Sequence, residues 1–184
     1  MAKSQITKQA LSSAMKELMK EHPLEKIKIG DIVQLCNMNR QSFYYHFKDK
    51  YELVNWIFYT EFFVDIQNSM QKPGYELIDK ICEFFYENRT FYKNALQFNG
   101  QNSFSEYFNE VTHPIIRARC EEFFENDRHK DFYATFFADA YRMAITRWLL
   151  EDTKIPLSEF VELIKKAATG FAHKIIMELD DKSD

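Results

Sequence analysis

The stretch NMNRQSFYYHFKDK, residues 37–50, decides the interpretation of this 184-residue chain. It holds an unbroken run of aromatic and imidazole side chains from Phe43 to Phe47, flanked by Arg40 and by the two lysines of KDK. A helix can bury two of these rings on its inner side, and the others must then lie on its outer side among positive charges. The stretch therefore predicts a helix whose outer side contacts something other than water.

Helical geometry sorts these side chains into an inner and an outer set. At 100° per residue, Phe43 and Phe47 point the same way and form the buried side of a helix predicted over 40–47. Gln41 and Tyr45 lie on the opposite side, where an exposed tyrosine favours a covering partner. The major groove of DNA accepts a helix, and it offers adenine edges to Gln and phosphates or thymine methyl groups to Tyr. Periodicity alone leaves open a partly buried aromatic helix in an ordinary bundle.

Basic residues at both ends of this helix are placed for contacts with phosphates. Arg40 stands at its start and Lys50 just past its end, and such contacts position a protein on DNA without reading sequence. Lys28, at the start of the preceding helix, can join them together with the unpaired amides of that helix end.

The residues before this helix predict a helix-turn-helix. The segment IKIGDIVQLC, 27–36, has the apolar spacing of a short helix, and NMN then breaks the pattern. Asn37 tolerates the left-handed conformation that ends a helix, and Asn39 is a good N-cap for the next one. Two helices joined by a three-residue turn form this motif when the second presents polar and basic groups outward.

The remainder of the chain predicts an all-α fold of about nine helices, because only 4 Gly and 4 Pro interrupt its helical periodicity. An N-terminal three-helix helix-turn-helix domain, 1–50, is joined by a long fourth helix to an all-helical dimerisation and effector domain, 51–184. The first helix should end at Pro23, and a new helix should begin at Pro114. The predicted helices beyond residue 50 are 51–70, 75–88, 90–98, 103–112, 114–126, 127–151 and 157–179.

Charge is distributed unevenly between the two predicted domains. Residues 1–50 hold nine Lys or Arg against five Asp or Glu, a net charge of +4. The totals of 24 basic and 28 acidic residues leave 15 and 23 for residues 51–184, a net charge of −8. A basic N-terminal domain on an acidic body favours contact of the first domain alone with a polyanion. Chance variation in surface charge is the alternative.

Other classes of protein find little support in the sequence. No apolar run approaches the roughly 20 residues of a membrane span, and no signal-peptide pattern opens the chain, so we expect a cytoplasmic protein without membrane contact. The scattered cysteines, Cys36, Cys82 and Cys120, are expected to be reduced core residues. Neither the histidine spacing nor the four glycines match a metal, phosphate or nucleophile motif, so no catalytic residue, metal or cofactor is predicted. An all-α enzyme would need a pocket of titratable groups that the sequence does not indicate.

Residues 4–60 resemble the DNA-binding domain of the tetracycline-repressor (TetR) family. The most specific feature is FYYHF followed by Lys50 and Leu53, close to the family's aromatic–Tyr–x–His–Phe and Lys–x–x–Leu signature. Departures are Lys28, Asn37 and Gln41, where the family usually has Thr, Gly and a small residue. The resemblance implies binding to double-stranded DNA at a palindromic operator. Together with Lys28 and the cap residue Asn39, the DNA-binding residues it implies are Arg40, Gln41, Ser42, Tyr44, Tyr45, His46 and Lys50.

The two last long helices have apolar residues on more than one side and favour a homodimer formed through a four-helix interface. Packing of these residues inside a monomer is the alternative. The predicted interface residues are Phe137, Tyr141, Ala144, Trp148, Ile164, Ala168, Phe171 and Ile175, and Phe136, Ala140 and Met143 extend the stripe.

The partner of the C-terminal domain stays open at the level of sequence. The family binds an effector there, and Arg117 or Arg142 could anchor an anionic one. The segment RMAITRWLLEDTKIPLSEFVELI resembles a subgroup that includes a regulator of a dihydroxyacetone kinase operon, in which the partner is a protein coactivator. The function predicted is a dimeric, sequence-specific DNA-binding regulator. The alternative is a helical protein-interaction module that acts with a coactivator protein rather than sensing a free small molecule.

Overall fold

The computed structural model describes residues 2–63, 76–98, 100–123 and 128–180. Within these ranges all regular structure is helical and no strand is found, which confirms the all-α prediction. None of the helices in the same ranges combines the length and apolar character needed to cross a bilayer.

Nine α-helices follow one another along the described part of the chain. They are α1 Ala2–Glu21, α2 Ile29–Leu35, α3 Arg40–Tyr44, α4 Lys50–Phe58, α5 Glu76–Glu87, α6 Arg89–Leu96, α7 Phe104–Phe123, α8 Lys130–Leu150 and α9 Leu157–Asp180. A 3-10 helix, Leu24–Lys26, lies between α1 and α2, and a π-helical turn, Tyr59–Phe63, continues α4. We call the part from α1 to α3 the head and the part from α5 to α9 the body, with α4 between them.

The three helices of the head pack together through apolar side chains that belong to the same hydrophobic cluster as the buried residues of the body. Leu11, Met15 and Met19 recur every four residues along α1 and are buried on one side of it. Phe43 and Phe47 pack into the same hydrophobic cluster from the other side. The outward direction of the rest of α3 is therefore fixed by the burial of these two rings.

The body is built around aromatic rings. Phe58, at the end of α4, is fully buried, and seven ring centroids lie 5.0–6.3 Å from its own. Those rings belong to Phe62, Phe84, Phe85, Tyr92, Phe104, Tyr107 and Phe108. They come from the π-helical turn, α5, α6 and α7, so α4 is anchored in the body at one end while its other end follows α3.

Pro114 lies inside α7, so the predicted break before it is wrong. Proline lacks an amide donor, and the carbonyl of Glu110, four residues earlier, loses its helical partner. Both residues are exposed, so water can reach that carbonyl. α7 packs against α8, and tertiary packing of this kind decides helix length more than one local preference does.

The prediction for α4 can be followed only in part. Its first residues agree with the structure, but residues 64–70 of the predicted helix lie outside the described residues. The helix predicted over 40–47 is longer than the observed α-helix, which ends at Tyr44. One more turn of mixed hydrogen bonds follows, with the His46 and Phe47 amides both donating to the Phe43 carbonyl at 2.9 and 3.0 Å.

Candidate nucleic-acid interface

The turn between α2 and α3 has the geometry expected from its two asparagines. Asn37 has a φ of 53°, in the left-handed region that Asn tolerates better than most residues. The following amide, that of Met38, donates to the Val33 carbonyl at 2.8 Å and closes the end of α2. Asn39 caps α3 by accepting from the Ser42 amide at 2.8 Å. Both predicted roles, helix end and helix cap, are confirmed.

The outer face of α3, which we define as Arg40, Gln41, Tyr44 and Tyr45, is exposed. Tyr45 is 82% and Tyr44 57% exposed, whereas the Phe43 ring behind them is completely buried. Arg40 and Gln41 are exposed as well. The structure thus brings a cation, an amide and two phenol groups to one surface, held from behind by a buried ring.

Arg40 reaches back from α3 across the start of α2. A Cβ atom placed on Gly30 would lie 3.1 Å from Nη2 of Arg40, so the absence of a side chain there makes room for the guanidinium. Lys28, the N-cap of α2, stands two residues before Gly30 and is exposed. Its amide donates to the Asp31 carboxylate at 2.8 Å. The sequence pattern did not single out Gly30, although a glycine inside a short helix is a signal of close approach.

Three predicted residues lie at the border of this face. The Ser42 hydroxyl donates to Oδ1 of Asn39 at 3.1 Å, so these two side chains stabilise the N-terminus of α3. His46 is half-buried and meets Tyr45 edge to face, with ring centroids 4.9 Å apart. Burial, and after it the charge of Lys8, lower the pKa of His46, which favours the neutral imidazole at neutral pH.

Lys50 is directed into the fold rather than toward the outer face of α3. Its Nζ donates to the carbonyls of Leu24, Glu25 and Ile27 at 2.7, 2.8 and 2.8 Å. An ammonium has three donors, and all three are used here. Burial lowers the pKa of Lys50, while the charge of Glu25 acts in the opposite direction. This geometry does not support the phosphate contact predicted for Lys50 and gives the residue a structural role at the 3-10 helix.

Replacement of Lys50 tests this role. Lys50→Met keeps the aliphatic stem but removes three charged hydrogen bonds, and we expect the free energy of unfolding to fall by about 2 kcal/mol. Urea unfolding measures the loss, and Lys48→Met, at an exposed position two residues away, is the matched control. An unchanged unfolding midpoint, with a shallower salt dependence of DNA binding, would return Lys50 to the phosphate contacts.

The residues predicted for the dimer interface lie mostly on the inner side of α8 and α9. Trp148 and Ile164 are buried within the single chain. The Trp148 ring stacks on Phe160 at 4.2 Å, and its Nε1 donates to the Ile155 carbonyl at 2.8 Å. For these two residues the prediction is therefore corrected. Phe137, Tyr141 and Ala144 are half-buried against the body's own side chains, and the side chains of Ala168, Phe171 and Ile175 lie outside the described residues.

The exposed apolar side of these helices includes Phe136 and Met143, which the sequence predicted as an extension of the stripe, together with three residues that it did not predict. On α8, Phe132, Phe136 and Met143 are 66%, 49% and 46% exposed, and Leu150 continues the stripe. Leu163 on α9 is also exposed. These five residues are the outer face of α8 and α9. The four residues on α8 are separated by four, seven and seven positions, which places them on one side of that helix.

The two arginines considered for an anionic effector have protein partners. Arg117 forms an ion pair with Asp131 at 3.0 Å, and Arg142 donates from Nη1 to the Ser105 hydroxyl at 3.1 Å. Arg142 is the more buried of the two, and its Nε has no hydrogen-bond partner among the described atoms.

Comparison with protein families matches both halves of the chain. A model described as "Bacterial regulatory proteins, tetR family" matches residues 11–57, which span most of the head and α4. A model described as "Transcriptional regulator C-terminal region" matches residues 75–170, more than half of the chain.

Curated and solved relatives agree with these matches. The HTH-type dhaKLM operon transcriptional activator DhaS of Lactococcus lactis subsp. lactis (strain IL1403) is 29% identical over 153 residues, covering 80% of this chain and 81% of the relative. The solved structure of the dihydroxyacetone kinase operon activator DhaS has a TM-score of 0.62 at 19% identity, over 94% of this chain and 97% of that one. A transcriptional regulator (TerR/AcrR family) from Aquifex aeolicus VF5 has a TM-score of 0.65 at 19% identity, over 90% and 99%.

These relatives are regulators of transcription rather than enzymes. Their fold matches the helices described above, and the family models cover the head and most of the body. The chain therefore belongs to the TetR family of bacterial transcriptional regulators.

Proposed function

We propose that this protein is a homodimeric, sequence-specific DNA-binding regulator whose DNA affinity is controlled by an effector or partner bound to its C-terminal domain. Residues 1–50 would bind DNA, and residues 51–184 would dimerise and receive the signal. The observation that carries the proposal is the outer face of α3, where Tyr45 is 82% exposed beside Gln41 and Arg40. Such a regulator would work in the cytoplasm, where bacterial operators are found.

The side chains of this face suit the major groove. An extended amide such as that of Gln41 can form two hydrogen bonds with adenine, and the Tyr45 ring can pack on a thymine methyl group. Arg40 and Lys28, on neighbouring helix starts, are placed for backbone phosphates. Tyr44, Ser42, His46 and Asn39 would border the contact. In a symmetric dimer the two α3 helices would enter successive major grooves about 34 Å apart, on a roughly palindromic operator.

The outer face of α8 and α9 is the surface that we propose for dimerisation. Its exposed phenylalanines and Met143 form an apolar stripe whose exposure to water is unfavourable. A second copy of the same stripe would bury it in an isologous interface, the usual arrangement of a twofold dimer. Among the originally predicted interface residues, Phe137, Tyr141 and Ala144 would then support this surface from behind.

Phe136→Glu tests the dimer. A carboxylate in the centre of this stripe would be desolvated without a partner, and we expect the dimer dissociation constant to rise about a hundredfold. Sedimentation of the variant over a range of concentrations measures the change. Ile6→Glu, at an exposed apolar position of the head, is the matched control and should sediment like the wild type. A Phe136→Glu protein that remains fully dimeric at low concentration would exclude this surface.

The nature of the effector can be narrowed by one observation. The ring cluster around Phe58 fills the space between α4, α5, α6 and α7 with close-packed side chains. This favours a partner recognised at the surface, and it agrees with the similarity to DhaS, an activator of a dihydroxyacetone kinase operon. Our second candidate is therefore regulation by a coactivator protein. Dialysis of a lysate from the source cells separates the two cases when each fraction is tested for its effect on DNA binding. A coactivator protein would stay in the non-dialysable fraction, and a small molecule would pass into the dialysate.

The proposal as a whole is tested by fluorescence anisotropy on the DNA upstream of the protein's own gene. We expect at least about a hundredfold preference over a scrambled duplex, two chains per site, and a steep fall of affinity with salt. The scan should be repeated with the non-dialysable lysate fraction, since a partner can be needed before the heads are correctly spaced. No salt-sensitive binding under either condition would overturn the DNA-binding function.

A further inference from the structure

One side chain of the body holds the head by three hydrogen bonds. Asn94, in the middle of α6, donates from Nδ2 to the carbonyls of Met19 and His22 at 3.0 and 2.7 Å. Its Oδ1 accepts from the Leu24 amide at 2.8 Å. Both Nδ2 hydrogens and one oxygen lone pair are engaged, so the amide group is oriented without ambiguity. The contact joins the end of α1 to a helix about seventy residues further along the chain.

The backbone of the same residue, Leu24, is also held from its other side. Its carbonyl accepts from Lys50 at 2.7 Å, and its side chain is buried. Lys50 is the first residue of α4 and lies just after the turn that ends the α3 region. The backbone of Leu24 is therefore fixed by Asn94 of the body at its N–H and by the start of α4 at its C=O. These hydrogen bonds connect body and head independently of the covalent path along α4, and they add to the apolar packing of α1 against α6 within one shared hydrophobic cluster.

The body side of this connection reaches the end of α8. Lys93, next to Asn94, forms an ion pair with Asp152 in the turn between α8 and α9. Asp152 and Thr153 have φ values of 59° and 51°, and a β-branched residue in this region is strained. A cavity of about 490 Å³, lined by His22, Lys93 and Asn94 among others, lies beside this turn.

We propose that Asn94 is a positioning residue that fixes the orientation of the head on the body. The end of α8, through Lys93 and Asn94, would set the position of the Leu24 peptide and of the start of α4. In a dimer joined through α8 and α9, this arrangement would determine the distance between the two α3 helices. The orientation itself is a property of the single chain, and only its consequence for DNA spacing rests on the proposed function.

Three variants isolate the role of Asn94. Asn94→Ala removes all three hydrogen bonds. Asn94→Asp keeps an acceptor for the Leu24 amide but replaces both donors by a carboxylate that repels the two carbonyls. Asn88→Ala is the matched control, because Asn88 donates to the Phe84 carbonyl at 3.0 Å and this bond stays within the body. The unfolding midpoints of all three variants identify any variant that fails to fold. If Asn94→Ala fails to fold, Asn94→Asp still allows the test.

The orientation is measured by the distance between two spin labels, one on the head and one on the body. Exposed positions are Gln34 on α2 and Glu106 on α7, substituted by labelled cysteine in full-length protein without the native cysteines. Excess unlabelled protein keeps labelled chains apart. We expect a narrow distance distribution for wild type and Asn88→Ala, and a distribution about twice as broad or displaced for both Asn94 variants. Unchanged distributions in folded Asn94 variants would overturn the proposal.

Binding to operators of altered length tests the consequence. In a series of operators, single base pairs are inserted or removed between the two half-sites. Wild type should lose about tenfold in affinity per step, whereas Asn94→Ala should bind all spacings within about threefold, with unchanged affinity for an isolated half-site. If the wild type binds no DNA, the proposed function fails while the distance measurement still decides the role of Asn94. Equal spacing preference in wild type and variant would overturn the link from Asn94 to DNA.

Discussion

Tyr45→Ala should weaken binding to the operator by about 1–3 kcal/mol per subunit, and so by roughly twice as much in a dimer that contacts two half-sites. The ring is 82% exposed in the free protein, so its removal costs the fold little. In the complex the same ring would be covered by base edges, and its loss would remove contact area at a position that reads sequence. Anisotropy titrations on operator and scrambled duplexes at one salt concentration measure both affinity and preference.

Two further variants define what the tyrosine contributes. Tyr45→Phe keeps the ring and loses the hydroxyl, so it separates packing on a base from a hydrogen bond to phosphate. Tyr59→Ala removes an exposed tyrosine of the π-helical turn and should leave operator affinity unchanged. Equal weakening of Tyr45→Ala on operator and scrambled DNA would show that Tyr45 contacts the backbone and does not read sequence.

Phe58→Ala should lower the free energy of unfolding by about 3–5 kcal/mol, the usual cost of deleting a buried aromatic side chain. The ring is completely buried, and the seven rings around it would lose both contact area and edge-to-face geometry. Urea unfolding at a fixed protein concentration measures the loss, since the proposed dimerisation would make the midpoint depend on concentration.

Phe58→Leu is the matched substitution, because it keeps most of the buried volume while removing the aromatic ring. We expect it to lose about half as much stability as Phe58→Ala. A loss below about 1 kcal/mol for Phe58→Ala would mean that the body does not depend on this ring cluster. It would also weaken the argument for a partner that binds at the surface, because a loosely packed centre could accommodate a ligand.

The helix-turn-helix could be predicted from sequence because its signals are local. The left-handed Asn37, the cap by Asn39 and the buried pair Phe43 and Phe47 all act within a few residues. Helical periodicity then fixed which side chains, Tyr45 above all, would be exposed. Because these preferences are local, the predicted and observed outer sides of α3 agree.

The errors arise where a distant part of the chain decides the outcome. Lys50 follows the recognition helix in sequence, but three carbonyls some 25 residues earlier engage its ammonium. α8 is apolar on two sides, and periodicity cannot tell which side faces the body, so Trp148 was assigned to the wrong one. Pro114 lies within one continuous helix, α7, which packs against α8.

Asn94 illustrates a role that sequence reasoning could not have assigned. It stands in RTFYKNAL between Phe91, Tyr92 and Ala95, all of which are buried. A polar side chain among buried neighbours indicates a specific hydrogen-bond partner, but nothing in the pattern identifies that partner as the end of α1.

The bonds of Asn94 have a consequence for exchanging heads between regulators. All three join its side chain to main-chain atoms, the carbonyls of residues 19 and 22 and the amide of residue 24. Main-chain atoms are the same for every amino acid except proline, so these three bonds do not depend on which side chains stand at residues 19, 22 and 24, although those of Met19 and Leu24 are also buried in the core. What must be kept is the number of residues between α1 and the 3-10 helix. A chimaera whose foreign head has the same number of residues there should therefore keep the orientation of head on body seen in this protein. One residue inserted in this connection should break the hydrogen bonds with Asn94.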